Sequence, residues 1–152
     1  MSELEQVLAE IKASDDPDEA WAEALYVRGD AADEVREQWF EAAAKLGIVS
    51  AMADYADFLE EQNRLDEAKD WHRIAADAGS ADAMYACALI EDAEGNDDAA
   101  EEYYRAAAER GFLPAIYDLG RILYFRDDPS WRLCYSICQA SGYVPWDAEL
   151  LT

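Results

Sequence analysis

The chain has 152 residues, about one domain's worth, and is 52% hydrophobic and 12% aromatic, so it can bury a core and is no disordered acidic tail. Twelve Lys and Arg stand against 35 Asp and Glu, a formal net charge of −23. Such a surface repels phosphate backbones and anionic lipid, which excludes direct nucleic-acid and membrane binding. No stretch approaches the roughly 18 apolar residues of a membrane span. The acidic, amphipathic start MSELEQVLAEIK lacks the basic and apolar blocks of a signal peptide. Cys87, Cys134 and Cys138 are too few for a disulfide scaffold. A cytoplasmic protein with reduced thiols is expected.

In chain order, Ser2 with Glu5 predicts a capping box on a first helix, and Asp16-Pro17 followed by Asp18 and Glu19 opens a second, PDEAWAEALYVRG. From there the chain repeats. Gly47, Gly79 and Gly111 are 32 residues apart and Gly142 follows after 31. The segments ending at them read EVREQWFEAAAKLG, DEAKDWHRIAADAG, DAAEEYYRAAAERG and PSWRLCYSICQASG. Each glycine falls where a helix should end in a left-handed residue. Ala51, Ala83 and Ala115, four residues beyond the first three, open a second set of helices in AMADYADFL, AMYACALIE and AIYDLGRIL. Polar connectors EQNRLD, AEGNDD and FRDDPS separate the sets, with Asp66, Asp98 and Asp128 as expected caps and Pro129 at a first helical position. Alanine dominates and period-two alternation is absent, so strands are excluded. Pro145-Trp146 begins a final turn or short helix ending in AELLT.

The pattern W/Y-x₃-AA-x₂-G-x₃-A-x₃-L/C-G/A, fullest in YYRAAAERGFLPAIYDLGRILY at residues 103–124, resembles the SEL-like repeat, a relative of the tetratricopeptide repeat. The resemblance covers roughly residues 34–142. It implies an all-α, right-handed α-solenoid of antiparallel helix pairs that serves as an adaptor for protein partners and has no catalytic residues. Residues 1–33 would be an N-terminal cap and partial repeat and 143–152 a C-terminal cap, all in one domain, 1–152. A 32-residue unit is short for the family and implies tight loops. Independently, one helix pair cannot cover its own apolar seam, so stacking must build the core. Small residues at Ala43, Ala75, Ala107 and Cys138, and at Ala56, Ala88 and Gly120, would admit close helix approach.

No residue pattern points to catalysis, and no metal ligand or cofactor is expected. All three cysteines align with core positions, where cysteine acts as a small hydrophobe. His72 aligns with Phe40, Tyr104 and Tyr135, which predicts packing. EDAEGNDDAAEE fails as a calcium loop because Gly95 comes too early for a loop opened by Asp92.

If the helices after each glycine line a concave groove, as the resemblance implies, the stripe is Ala53, Asp57 and Glu60, then Tyr85, Leu89 and Asp92, then Tyr117, Arg121 and Tyr124. Spacings of three and four put each triplet on one helix face. Asp57, Glu60, Tyr85, Asp92, Tyr117, Arg121 and Tyr124 are the candidate partner-binding residues. Tyrosine bodies and carboxylates suit a basic peptide or protein surface. The alternative is that the tyrosines pack between helices and the acids form a solvated face. Residues 1–100 hold 27 acids and 7 bases, residues 101–152 hold 8 and 5, so a basic partner should meet the N-terminal part first. Two roles compete: a non-enzymatic adaptor that binds a basic protein, and an acidic inhibitor or immunity-type protein that masks the nucleic-acid-binding surface of a basic enzyme. Proteome-wide acidity also fits, since only 3 of the 12 bases are lysine. A monomer or weak homodimer is expected.

Overall fold

The computed structural model describes residues 2–28 and 32–143, and the secondary structure there is helical, with no strand. The helices are α1 (Glu3–Ala13), α2 (Pro17–Arg28), α3 (Asp33–Lys45), α4 (Val49–Glu61), α5 (Leu65–Asp77), α6 (Ala81–Ala93), α7 (Asp97–Glu109), α8 (Leu113–Phe125) and α9 (Trp131–Ala140). Apart from Tyr143, the expected C-terminal cap lies outside the described residues. No helix among them is long and apolar enough to cross a membrane.

From α3 to α8 every helix has 13 residues and starts 16 after the one before, so two helices make the 32-residue unit. The segment expected as a cap and partial repeat joins this register, because α2 begins 32 residues before α4. α1 begins with the expected capping box: Glu5 N–H donates to Ser2 Oγ, and Ser2 N–H to Glu5 Oε2. At α2, Asp16 Oδ1 accepts from Glu19 N–H.

The 16-residue period is written in the turns. Gly47, Asn63, Gly79, Gly95, Gly111, Asp127 and Gly142 all have φ between +57° and +104°. Around each, the next N–H reaches back five residues, as Arg64 to Leu59, Ser80 to Ala75 and Asp128 to Leu123. This closure satisfies carbonyls that the helix end would leave bare. Because the turn is so compact, the expected six-residue connectors shrink to three at 62–64 and 94–96, and the helices run into them. Two expected caps move as a result. Asp66 and Asp98 lie within the first turns of α5 and α7, where their charge still favours the helix N-terminus, while Arg64 and Asn96 hold the cap positions without a side-chain bond to the helix's backbone N–H groups. Pro129 precedes α9 and does not open it. Asp128 Oδ1 accepts from Ser130 N–H and holds that turn.

By contacts the chain divides into two compact units, Met1–Ala83 and Met84–Thr152, where one domain is expected from sequence; the division falls inside the continuous α6. In the first unit α1 packs on α2 and α3, α2 on α4, α3 on α4, and α4 on α5. Its core includes Val7, Ile11, Trp21, Phe40, Phe58 and Leu59, with Trp21 edge-on to Phe40 and Phe40 against Phe58. In the second unit α7 packs on α8 and α8 on α9, around Ile116, Tyr117 and Cys138. The predicted small positions Ala43, Ala56, Ala75, Ala88, Ala107 and Cys138 are all buried. At Gly120 the approach leaves no room for a side chain, since a Cβ there would lie 2.8 Å from the Cβ of Cys134 on α9.

Candidate functional site

In the first unit, Asp18, Ser50 and Asp82 take the same place at the starts of α2, α4 and α6, 32 residues apart. With Asp54, Asp57 and Ser80, and the small or apolar Val49, Ala53 and Ala81, they line a depression of about 450 Å³. Four carboxylates therefore share one hollow whose lining contains no Lys or Arg.

Neighbouring helices hold Asp18 and Asp54 by hydrogen bonds. Asp18 Oδ1 accepts from both the backbone N–H and the hydroxyl of Ser50, each at 2.8 Å. The carboxylate thereby caps α4 from another helix, at an N-terminus whose own cap residue, Ile48, has no side-chain bond to give. Asp54 Oδ2 accepts from Trp21 Nε1 at 2.8 Å. Burial raises the Asp54 carboxyl above its ordinary range, the Trp21 bond lowers it, and the charge of Asp82 raises it again. Asp57 is also raised: loss of water around the carboxyl comes first, His72 opposes it, and Glu60, Asp54 and Asp82 add to it.

His72, on α5, is buried at 2% exposure, as its alignment with Phe40 and Tyr104 predicts. Its other edge was not legible. Nε2 lies 3.0 Å from Glu60 Oε1 and 3.9 Å from Asp57 Oδ1, while Nδ1 is buried without a hydrogen-bond partner. Asp57 and Glu60 are three apart on α4, so they present carboxylates side by side, and the short turn at 62–64 brings α5 alongside them. Among the described residues this trio places one nitrogen and two carboxylate oxygens within 4.8 Å of one another.

In the second unit, Tyr85 Oη donates to Asp118 Oδ2 at 2.9 Å, with its ring against Tyr104 and Phe112. Burial, with the charges of Asp118 and Asp92, pushes the Tyr104 hydroxyl up to about 12 against the pull of Arg121. Arg121 lies 3.5 Å from Asp118 Oδ1, and Asp92 is exposed. Tyr117 is buried, edge-on to Tyr143, which is the packing role given as its alternative. Tyr124 keeps 36% of its surface and packs against Phe125 and Trp131. Of the seven candidate residues, Asp57 and Glu60 thus come together in the first unit, and Tyr85, Asp92 and Arg121 gather near Tyr104 and Asp118 in the second.

Asp18, Asp54, Asp82, His72 and Asp118 were missed as site residues. One signal was available: Trp21 to Asp54 and Tyr85 to Asp118 are the same bond, an aromatic donor and an acid 33 residues on. Burial pushes the Cys134 and Cys138 thiols up, away from the reactive thiolate. No protein-family model matches the chain, and a search of the curated proteins finds no match.

Proposed function

We propose that the chain is a non-enzymatic, cytoplasmic protein-interaction module, a right-handed solenoid of SEL-like, tetratricopeptide-related helix pairs that captures a basic segment of another protein. The observation that carries this reading is the hollow of Asp18, Asp54, Asp57 and Asp82, lined without a cation. A lysine or arginine entering it would supply the missing charge, with Ser50 and Ser80 as further polar partners. The common 16-residue register supports the repeat assignment, as does the packing of α1 on α3 and of α2 on α4. So does the recurrence of the aromatic-to-aspartate bond in both units.

Fluorescence anisotropy with labelled Lys/Arg-rich peptides and the full chain tests the reading. Binding should weaken with added salt, and D54N/D57N/D82N should weaken it by about tenfold or more, the range for desolvated charge pairs. Peptides that ignore these substitutions would overturn the site. Inhibition of a basic nuclease, abolished by the same substitutions, would move the role from adaptor to inhibitor.

A further inference from the structure

We propose that Asp57, Glu60 and His72 form a binding site for a divalent transition-metal ion of the zinc class, held by His72 Nε2 and one oxygen from each carboxylate, clasping α4 to α5. Asp57 also lines the acidic hollow, but Glu60 and His72 do not, so E60Q and H72F test the ion site apart from the capture of a basic segment.

The donor set selects the ion. Magnesium and calcium take oxygen ligands, whereas an imidazole beside carboxylates suits zinc and its first-row neighbours. The spacing fits as well. Ligands at about 2.0–2.2 Å from an ion stand roughly 3–4 Å apart around it. Nε2 already lies 3.0 Å from one oxygen and 3.9 Å from the other, and all three atoms fall within 4.8 Å. Side-chain rotation of two exposed acids is enough to close the set.

The histidine itself is the second observation. Phe40 and Tyr104 fill the aligned slot in the neighbouring repeats, and all three rings are buried. Packing there requires no nitrogen. Yet this copy carries an imidazole whose buried Nδ1 has no hydrogen-bond partner, a desolvation cost that an aromatic hydrocarbon would avoid. The one nitrogen that is served is the one facing two carboxylates. Its ring is held by the core while the acids keep 69% and 48% of their side-chain surface, so an ion can enter from solvent and keep water in its remaining positions. Asp54 and Asp82, close enough to act on Asp57, add to the negative potential.

Zinc alone, titrated calorimetrically into the EDTA-treated, dialysed full chain, should bind saturably with one ion per chain and raise Tm, because it binds the folded state. E60Q and D57N change exposed side chains and should keep the fold by circular dichroism. Each should lose more affinity than the roughly 10–100-fold that outer-shell changes cost. H72F, which restores the aromatic residue of the aligned slot, should fold and abolish the site, whereas C134S and C138S should leave it intact. Cobalt should show a nitrogen–oxygen spectrum without a thiolate charge-transfer band. Absence of stoichiometric zinc binding, binding unchanged in E60Q and H72F, or a thiolate band would overturn the site. None of these results depends on whether a basic peptide binds.

Discussion

Asn63 and Asp127 hold the left-handed conformation that glycine holds at Gly47, Gly79, Gly95, Gly111 and Gly142. For an L-residue that conformation costs roughly 1–2 kcal/mol, less for Asn and Asp, whose short polar side chains tolerate it. At Gly79 no atom would meet an added Cβ within 4 Å, so the penalty of G79A is purely one of backbone. G79A should therefore lower stability by about 1–2 kcal/mol in urea melts, while D127G, which relieves the same strain, should raise stability by a few tenths to about 1 kcal/mol. Glycine spacing makes every second turn legible in the sequence. The intervening turns hide because two of the three use Asn or Asp, and Gly95 is one among seven glycines until the 16-residue register is known.

Helices are held in pairs by side chains small enough to let backbones meet. Ala75 is fully buried, so A75L forces about three extra carbons into a closed seam and should cost about 1–3 kcal/mol, read as a lower Tm with unchanged helical content. G120A should cost a comparable amount, because its Cβ would lie 2.8 Å from that of Cys134 and α9 must move. An unaltered melt for both would show that the seam is looser than these distances. Such positions were legible because alanine recurs in register at 43, 75 and 107. Helix ends were less so: EQNRLD and AEGNDD look like loop, yet half of each belongs to helices, since a compact left-handed turn needs only three residues. The capping of α4 by Asp18 had no local signature at all, being made between helices 32 residues apart.

Charge acts on the whole molecule. Asp54 and Asp57 are raised in the folded chain, so folding favours their protonated forms, and their contribution to stability falls as pH rises through the window between the ordinary carboxylate range and their raised values. Glu67, lowered by Arg64, and Asp128, lowered by Ser130, act oppositely, and their contribution is lost as pH drops through their lowered values. With −23 charges also repelling at neutrality, Tm should rise as pH falls from 7 toward the ordinary carboxylate range and fall only in stronger acid. D57N should reduce that rise, and added salt at pH 7 should mimic part of it. A Tm that falls steadily from pH 7 downward would contradict this balance. The helical class, the 32-residue period, the small-residue seams and the burial of His72 were legible in the order of residues, because these follow from spacing along one chain. Which acids share a hollow, that Tyr117 packs inward, and that His72 turns Nε2 toward Asp57 and Glu60 emerge only in the folded chain. Those outcomes depend on side-chain direction and on contacts between helices, and with so many acids in the sequence, spacing cannot say which of them meet.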